Sequence, residues 1–356
     1  MNLKPMSFKK ISSISIGLAS ITLVAVGFID PSSLNKISDI SSVFEEELPT
    51  NSLSGRVGSD GPILVVKIDD TPAAHPQAGL EDADIVYIEQ VEGGLTRLAA
   101  VYSSKIPAVI GPVRSARISD IEILEQFGRV AFAYSGAQKK LLPVIDAANL
   151  ENLGAQRQGR EIYANDPTRV APTAMMLQAQ TLMQKVKASN LPIAISKSAG
   201  WEFADAIDTG TAIASAKVMW PANSYEAIWS DSEKRWLLSN RGNANLAESG
   251  LHLGPTTFVI QLVSITPSEY HDKVGGVTPF TATVGTGRGY VLRDGKYIPA
   301  IWQRPTAQDG TTWRTTTGEE VKFAAGQVWI ALTDKEPIFT PILPAVSADA
   351  PLTTSK

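Results

Sequence analysis

The 356-residue chain contains no cysteine. That absence removes disulfides, thiolate nucleophiles, thiolate metal sites and a lipid-bearing cysteine together, and it leaves the redox compartment open. Histidine is almost as scarce. His75, His252 and His271 lie far apart, without an i, i+4 pair or an H-E-x-x-H pattern, so no metal site and no cofactor are expected. An excess of one charge is missing too: the formal net charge is −4, there is no basic footprint, and no nucleic-acid partner is expected. No internal repeat is visible. What remains is an ordinary globular mixture, 44% hydrophobic and 19% charged, long enough for two domains with cores of their own.

The first ten residues, "MNLKPMSFKK", carry Lys4, Lys9 and Lys10 and no acid, and residues 11–29 follow without a charge. This run exceeds the roughly 7–15 residues of a signal-peptide core and approaches the roughly 20 that span a bilayer. Residues 1–29 therefore read as a signal anchor. The lysines before the run and "FEEELP" beyond it orient the chain as a single-pass cell-membrane protein whose main part is extracytoplasmic. The alternative is a signal peptide cleaved after Gly27, with secretion. Residues 30–58, rich in Ser, Asp, Glu and Asn without periodicity, read as a flexible linker.

Over 59–200 the pattern predicts an α/β domain. "PILVVKIDD", "ADIVYIEQV", "LTRLAAVYSS" and "RVAFAYSG" are strand-length apolar runs, and helices are expected in "SDIEILEQFG", in "AQKKLLPVIDAANLENLG" with an interruption at Pro143, and in "APTAMMLQAQTLMQKVKAS". All seven tryptophans lie beyond residue 200, where the period changes. "SYEAIWSDSEKRWLLS", "TTFVIQLVSI", "GYVLRDGKYIPAIWQR" and "GQVWIALT" predict a smaller, mainly β domain over 201–335, with Asp294-Gly295 at a tight turn. Residues 336–356, with four prolines, read as an extended tail.

The segment richest in chemistry is "GPVRSARISDIE", residues 111–122. Ser119 followed by Glu122 forms a capping-box pattern, which starts a helix near Ile118 and runs it to Phe127. Arg114 and Arg117 then sit beside the positive end of a helix dipole, a placement that disfavours each cation by about 0.3–1 kcal/mol. Something negative should compensate. One source is internal: if Gly93-Gly94 is a two-residue turn, Gln90 faces Arg97, Glu92 lies diagonal to Arg97, and Glu89 points to the opposite, partly buried face. The other source is an anionic ligand held by Arg97, Arg114, Arg117 and Ser115 with nearby backbone amides. Weaker signals carry less. Ser135-Gly136 lacks the G-x-S-x-G spacing of a nucleophile elbow, and "GTGRG" at 285–289 precedes a strand where a dinucleotide loop needs a helix.

With "HPQAGLEDADIVY", "EGGLTR", "GPVRSAR" and "GTGRGYVLRDGKYIPAIWQRP" in view, the chain from about Pro62 to Ala331 resembles the YerB-like lipoproteins of bacteria, a two-part domain of unknown function. The resemblance implies a membrane-attached envelope protein with an α/β first domain and a β-rich second one, and supplies no activity. Members reach the membrane through a lipidated cysteine, which this chain lacks, consistent with the anchor. The expectation is an extracytoplasmic protein, not assigned as an enzyme, that binds an anionic cell-wall component through the arginine cluster. Two alternatives stand beside it: a glycan- or peptide-processing enzyme using Glu89 or Glu92 as general acid or base, and a scaffold that captures an envelope protein.

Overall fold

The computed structural model describes residues 48–342, so the expected anchor, most of the linker and the end of the tail lie outside the described residues. The first half contributes β1 (Leu64–Asp69), β2 (Ile85–Gln90), β3 (Thr96–Tyr102), β4 (Val109–Ile110), α1 (Ile118–Glu125), β5 (Val130–Ala133), α2 (Leu142–Ala147), β6 (Leu150–Asn152), β7 (Tyr163–Asn165), β8 (Met175–Gln178) and α3 (Ala179–Ala188). The second adds β9 (Thr211–Trp220), β10 (Asn223–Ser230), β11 (Arg235–Asn240), β12 (Asn243–Ala244), β13 (Thr257–Leu262), β14 (Ser264–His271) and β15 (Val277–Ala282). It ends with β16 (Gly285–Arg293), β17 (Lys296–Arg304), β18 (Thr312–Arg314), β19 (Val328–Thr333) and β20 (Ile338–Pro341).

The fold is mostly β with few helices, and the expected α/β character of the first domain is corrected to largely β. The reason lies in two segments with mixed signals. Pro143 does not interrupt a long helix; it occupies the first turn of a short one, where a missing N–H costs nothing. After Ala148 leaves helical geometry, Leu150–Asn152 pairs in parallel with β5. Likewise Met175–Gln178, taken by periodicity for helix, pairs with both β4 and β7, and the helix begins only at Ala179. Backbone pairing with neighbours distant in sequence overrides local helix propensity.

One sheet runs through both halves in the order β12-β11-β10-β9-β17-β16-β13-β19-β2-β3-β1-β5-β6. The join is the parallel pair of β19 with β2, Val328 opposite Ile85. β1 is buried at every position because the sheet is covered on both faces, which explains its near-continuous apolar run. Val65, Ile85 and Val101 share one face with Ile123, Leu124 and Phe127 of α1 and its end. On the other face Val66, Ile88 and Leu98 join a cluster that includes Val218, Tyr225 and Leu238. Residues 48–58, assigned to the linker by composition, are folded here: Leu53 is fully buried, and the Ser54 hydroxyl donates to Asp84 at 2.6 Å.

The second face also buries a carboxylate. Asp70 accepts hydrogen bonds from the hydroxyls of Thr96 and Tyr225, the latter at 2.7 Å, and from Asn223 and Asn240 at 3.1 and 3.3 Å. A His75 ring nitrogen lies 3.1 Å from the same group. The glycines of "GTGRG" are structural: Gly289 is in β16, and a Cβ there would stand 2.5 Å from the Ile260 carbonyl oxygen. Trp229 and Trp236 are a cross-strand pair with ring centroids 5.2 Å apart.

Candidate functional site

The β2–β3 hairpin sets the site, and its register differs by one residue from the two-glycine turn. The connection is longer, running from Val91 to Leu95 around a short turn at Glu92–Gly94 in which both glycines have positive φ. Gln90 consequently faces Thr96, and Glu89 faces Arg97. Because side chains alternate along a strand, this one-residue slip moves Glu89 onto the face it was expected to avoid. Asp69 of β1 pairs with Arg97 from the other side, so Glu89, Arg97 and Asp69 form one row across three strands. Lys67 shares that face two residues along β1.

Buried charges need partners, because an isolated ion loses its hydration without return. Lys67 and Glu89 are both fully buried, and the Lys67 ammonium contacts Glu89 Oε1 and donates to Asp120 Oδ1 at 2.6 Å. Glu89 Oε2 has no hydrogen-bond partner. Burial, with the neighbouring charge of Asp120 and against the pull of Lys67, pushes the Glu89 carboxyl up to about 7.

The segment after β4 brings the other two arginines. The Arg114 N–H donates to the Lys67 carbonyl at 2.8 Å, and its guanidinium Nε lies 3.0 Å from Asp69 Oδ2, close in charge though not aligned as a hydrogen bond. Arg117 is the N-cap residue of α1. Its N–H donates to Asp120 Oδ2 at 2.7 Å, so Asp120, not Glu122, supplies the capping carboxylate. The Arg117 guanidinium grips Glu92 through Nε at 2.9 Å and Nη2 at 2.7 Å, and the Thr278 hydroxyl binds the other Glu92 oxygen. Against the upward push of burial, Arg117 and Thr278 hold Glu92 below the usual carboxylate range.

Ser119 and Glu122, read from sequence as a capping box, hold the second half instead. The Thr281 N–H donates to Ser119 Oγ at 2.9 Å, and the N–H groups of Thr283 and Val284 donate to Glu122 at 2.5 and 2.9 Å. These bonds fasten the end of the β14–β15 hairpin to α1.

Between the two halves lies an open cleft of about 750 Å³, lined by Arg97, Arg114, Ser115 and Arg117, by the loop at Glu92, and by the tip of the β14–β15 hairpin. Arg97 differs from its neighbours. It is only 8% exposed, donates to the Ser115 carbonyl at 3.2 Å, and has no carboxylate within 4 Å among the described residues. Burial and the charges of Arg117 and Arg114 push its guanidinium down to about 9. Of the two candidate acids, Glu92 lines the cleft and Glu89 does not. Sequence reasoning missed Lys67, Asp69 and Asp120. The available signal was "LVVKID", an apolar strand that carries two charges at the spacing of one face.

Two family models match the chain, described as the N-terminal and C-terminal domains of a protein of unknown function, DUF3048, over residues 50–192 and 216–330. The chain belongs to the DUF3048 family. It is similar to the "Putative lipoprotein YerB" of Bacillus subtilis (strain 168), 39% identical over 83 residues, which is 22% of this chain and 25% of that protein. The matched part thus spans about a quarter of the curated relative. A crystal structure of the YerB protein from Bacillus subtilis has the same fold at a TM-score of 0.70 and 18% identity, covering 81% of this chain and 99% of that one. Among the described residues no helix is long and apolar enough to cross a membrane.

Proposed function

We infer that this DUF3048 protein is held at the cell membrane with its folded part outside, and that it binds an anionic envelope component in the arginine-lined cleft. The observation that carries this reading is Arg97, a guanidinium more than nine-tenths buried that faces an open cleft without a carboxylate partner. A peptidoglycan stem-peptide carboxylate or an anionic glycan is the kind of ligand meant. The location rests on the lysine-flanked apolar run at 11–29 and on the lipoprotein name of the relative. With no cysteine to lipidate, the apolar run serves as the attachment.

Binding is favoured over acid–base catalysis because neither acid is free for it. Glu89 is fully buried behind the cleft, and Glu92 is engaged by Arg117 and Thr278. The test is calorimetric binding of soluble cell-wall fragments to the full-length protein. Replacing Arg97 and Arg114 together with alanine is expected to weaken binding by about tenfold or more, about 1.4 kcal/mol. Unchanged affinity would sink the reading.

A further inference from the structure

The cleft's charge balance narrows the kind of anion it can take. Arg114 reaches the cleft with Asp69 3.0 Å away, and Arg117 reaches it already bonded to Glu92. Lys67, behind them, is shared by Glu89 and Asp120. Lys139 and Lys273 also line the cleft, but both are exposed, where water and salt screen them, and Asp272 stands beside Lys273. Arg97 is left as the one buried cation of this group without a carboxylate within 4 Å among the described residues.

Arg97 is the one guanidinium here with no carboxylate at contact distance, and because Lys67, Arg97, Arg114 and Arg117 are matched in number by Asp69, Glu89, Glu92 and Asp120, the site suits no more than a single added negative charge. The planar fork of donors on Arg97 suits the two oxygens of a carboxylate, and the flanking guanidiniums of Arg114 and Arg117 favour that group without adding net charge beyond their own partners. A dianion such as a phosphomonoester would leave a surplus negative charge beside Glu92 and Asp69 in a partly desolvated site. The mixed lining also includes Val91, Leu95, Leu141 and Pro172, apolar side chains that suit the carbon skeleton adjoining a carboxylate.

We propose that the cleft holds one carboxylate, of a peptide chain end or an acidic sugar, with Arg97 as the gripping residue and Arg114 and Arg117 as positioning residues. This rests on the anion-cleft reading above and can fail without it.

The test titrates four probes into the full-length protein in detergent: N-acetyl-alanyl-alanine, its C-terminal amide, glucuronic acid and glycerol 3-phosphate. The free acid is expected to bind roughly tenfold or more tighter than the amide. Stronger binding of the dipeptide than of glucuronic acid assigns the carboxylate to a peptide, and the reverse order assigns it to a glycan; either supports the proposal. Tighter binding of glycerol 3-phosphate than of both carboxylates overturns the single-charge inference and leaves the anion cleft standing. Binding of no anion overturns both. Arg97→Met is expected to abolish carboxylate binding at an unchanged or higher melting temperature, because it removes a buried cation that has no carboxylate partner. A lowered melting temperature with binding retained makes Arg97 structural and overturns the proposal. Should Arg97→Met not fold, Arg97→Lys keeps the charge without the fork and is expected to lose most of the discrimination between acid and amide; full discrimination in that variant overturns the gripping role.

Discussion

Glu89 and Arg97 stand directly opposite each other on β2 and β3, yet they do not pair. The Glu89 carboxylate turns to Lys67, and Arg97 turns to the Ser115 carbonyl and the cleft. The result is a division of charge. Inside the sheet–helix interface Lys67 is shared by two carboxylates, Glu89 and Asp120, and the Arg97 guanidinium is left facing the cleft without one in contact.

Lys67→Met should be among the more damaging single substitutions in the molecule. It leaves Glu89 and Asp120 buried together without their shared cation, and breaking a buried pair in this way costs about 3–5 kcal/mol. Adding Glu89→Gln should recover part of the loss. Denaturant unfolding of the two single variants and the double closes the cycle; a cost below about 1 kcal/mol for Lys67→Met would show that the triad is not a stabilising unit.

The raised Glu89 carboxyl predicts a pH dependence. Burial first, and Asp120 second, take it from 4.5 to about 7. The folded state therefore binds this proton more tightly than the unfolded state does, and folding takes up a proton between those two values. Stability from this group falls as pH rises from about 4.5 to 7 and is level above that range. The loss is on the order of 3 kcal/mol, at about 1.36 kcal/mol for each tenfold difference in proton affinity between the two states. Wild-type stability minus that of Glu89→Gln, measured from pH 5 to 8, should slope downward to about pH 7 and then level off. A flat difference contradicts the assignment.

Asp70 joins the two halves, since Thr96 belongs to the first and Asn223, Tyr225 and Asn240 to the second. Asp70→Ala strands these buried donors and should cost about 3 kcal/mol, with Asp70→Asn milder because one acceptor oxygen remains. Thermal unfolding of both variants decides it: equal melting temperatures for Asp70→Ala and wild type would refute the role.

Glu122→Ala should loosen the hairpin that forms one wall of the cleft. It removes the acceptor for the Thr283 and Val284 N–H groups, so exchange of those two amides should quicken by about tenfold or more while β1 amides stay protected. Unchanged protection at Thr283 and Val284 would mean that other contacts hold the hairpin.

Most strands and the tight turn at Asp294-Gly295 were legible in the residues themselves, because apolar periodicity and turn chemistry are local, and Arg97, Arg114, Arg117 and Ser115, picked out in the sequence, do line one cleft. The start of α1 was legible too, but not its cap: Asp120 and Glu122 both offer a carboxylate in the first turns, and only docking of the β14–β15 hairpin shows which one serves the helix and which the neighbouring chain. The hairpin register escaped for a similar reason. Gly93-Gly94 is compatible with two turns that differ by one residue, and the pairing of β3 with β1 on its other side selects between them. What the sequence determined by itself was that buried charge and three arginines had to be reconciled near one helix start. Which carboxylate meets which cation, and which guanidinium is left over for the cleft, was decided only by the tertiary structure, because charge compensation acts through space between strands and loops that are far apart in the chain.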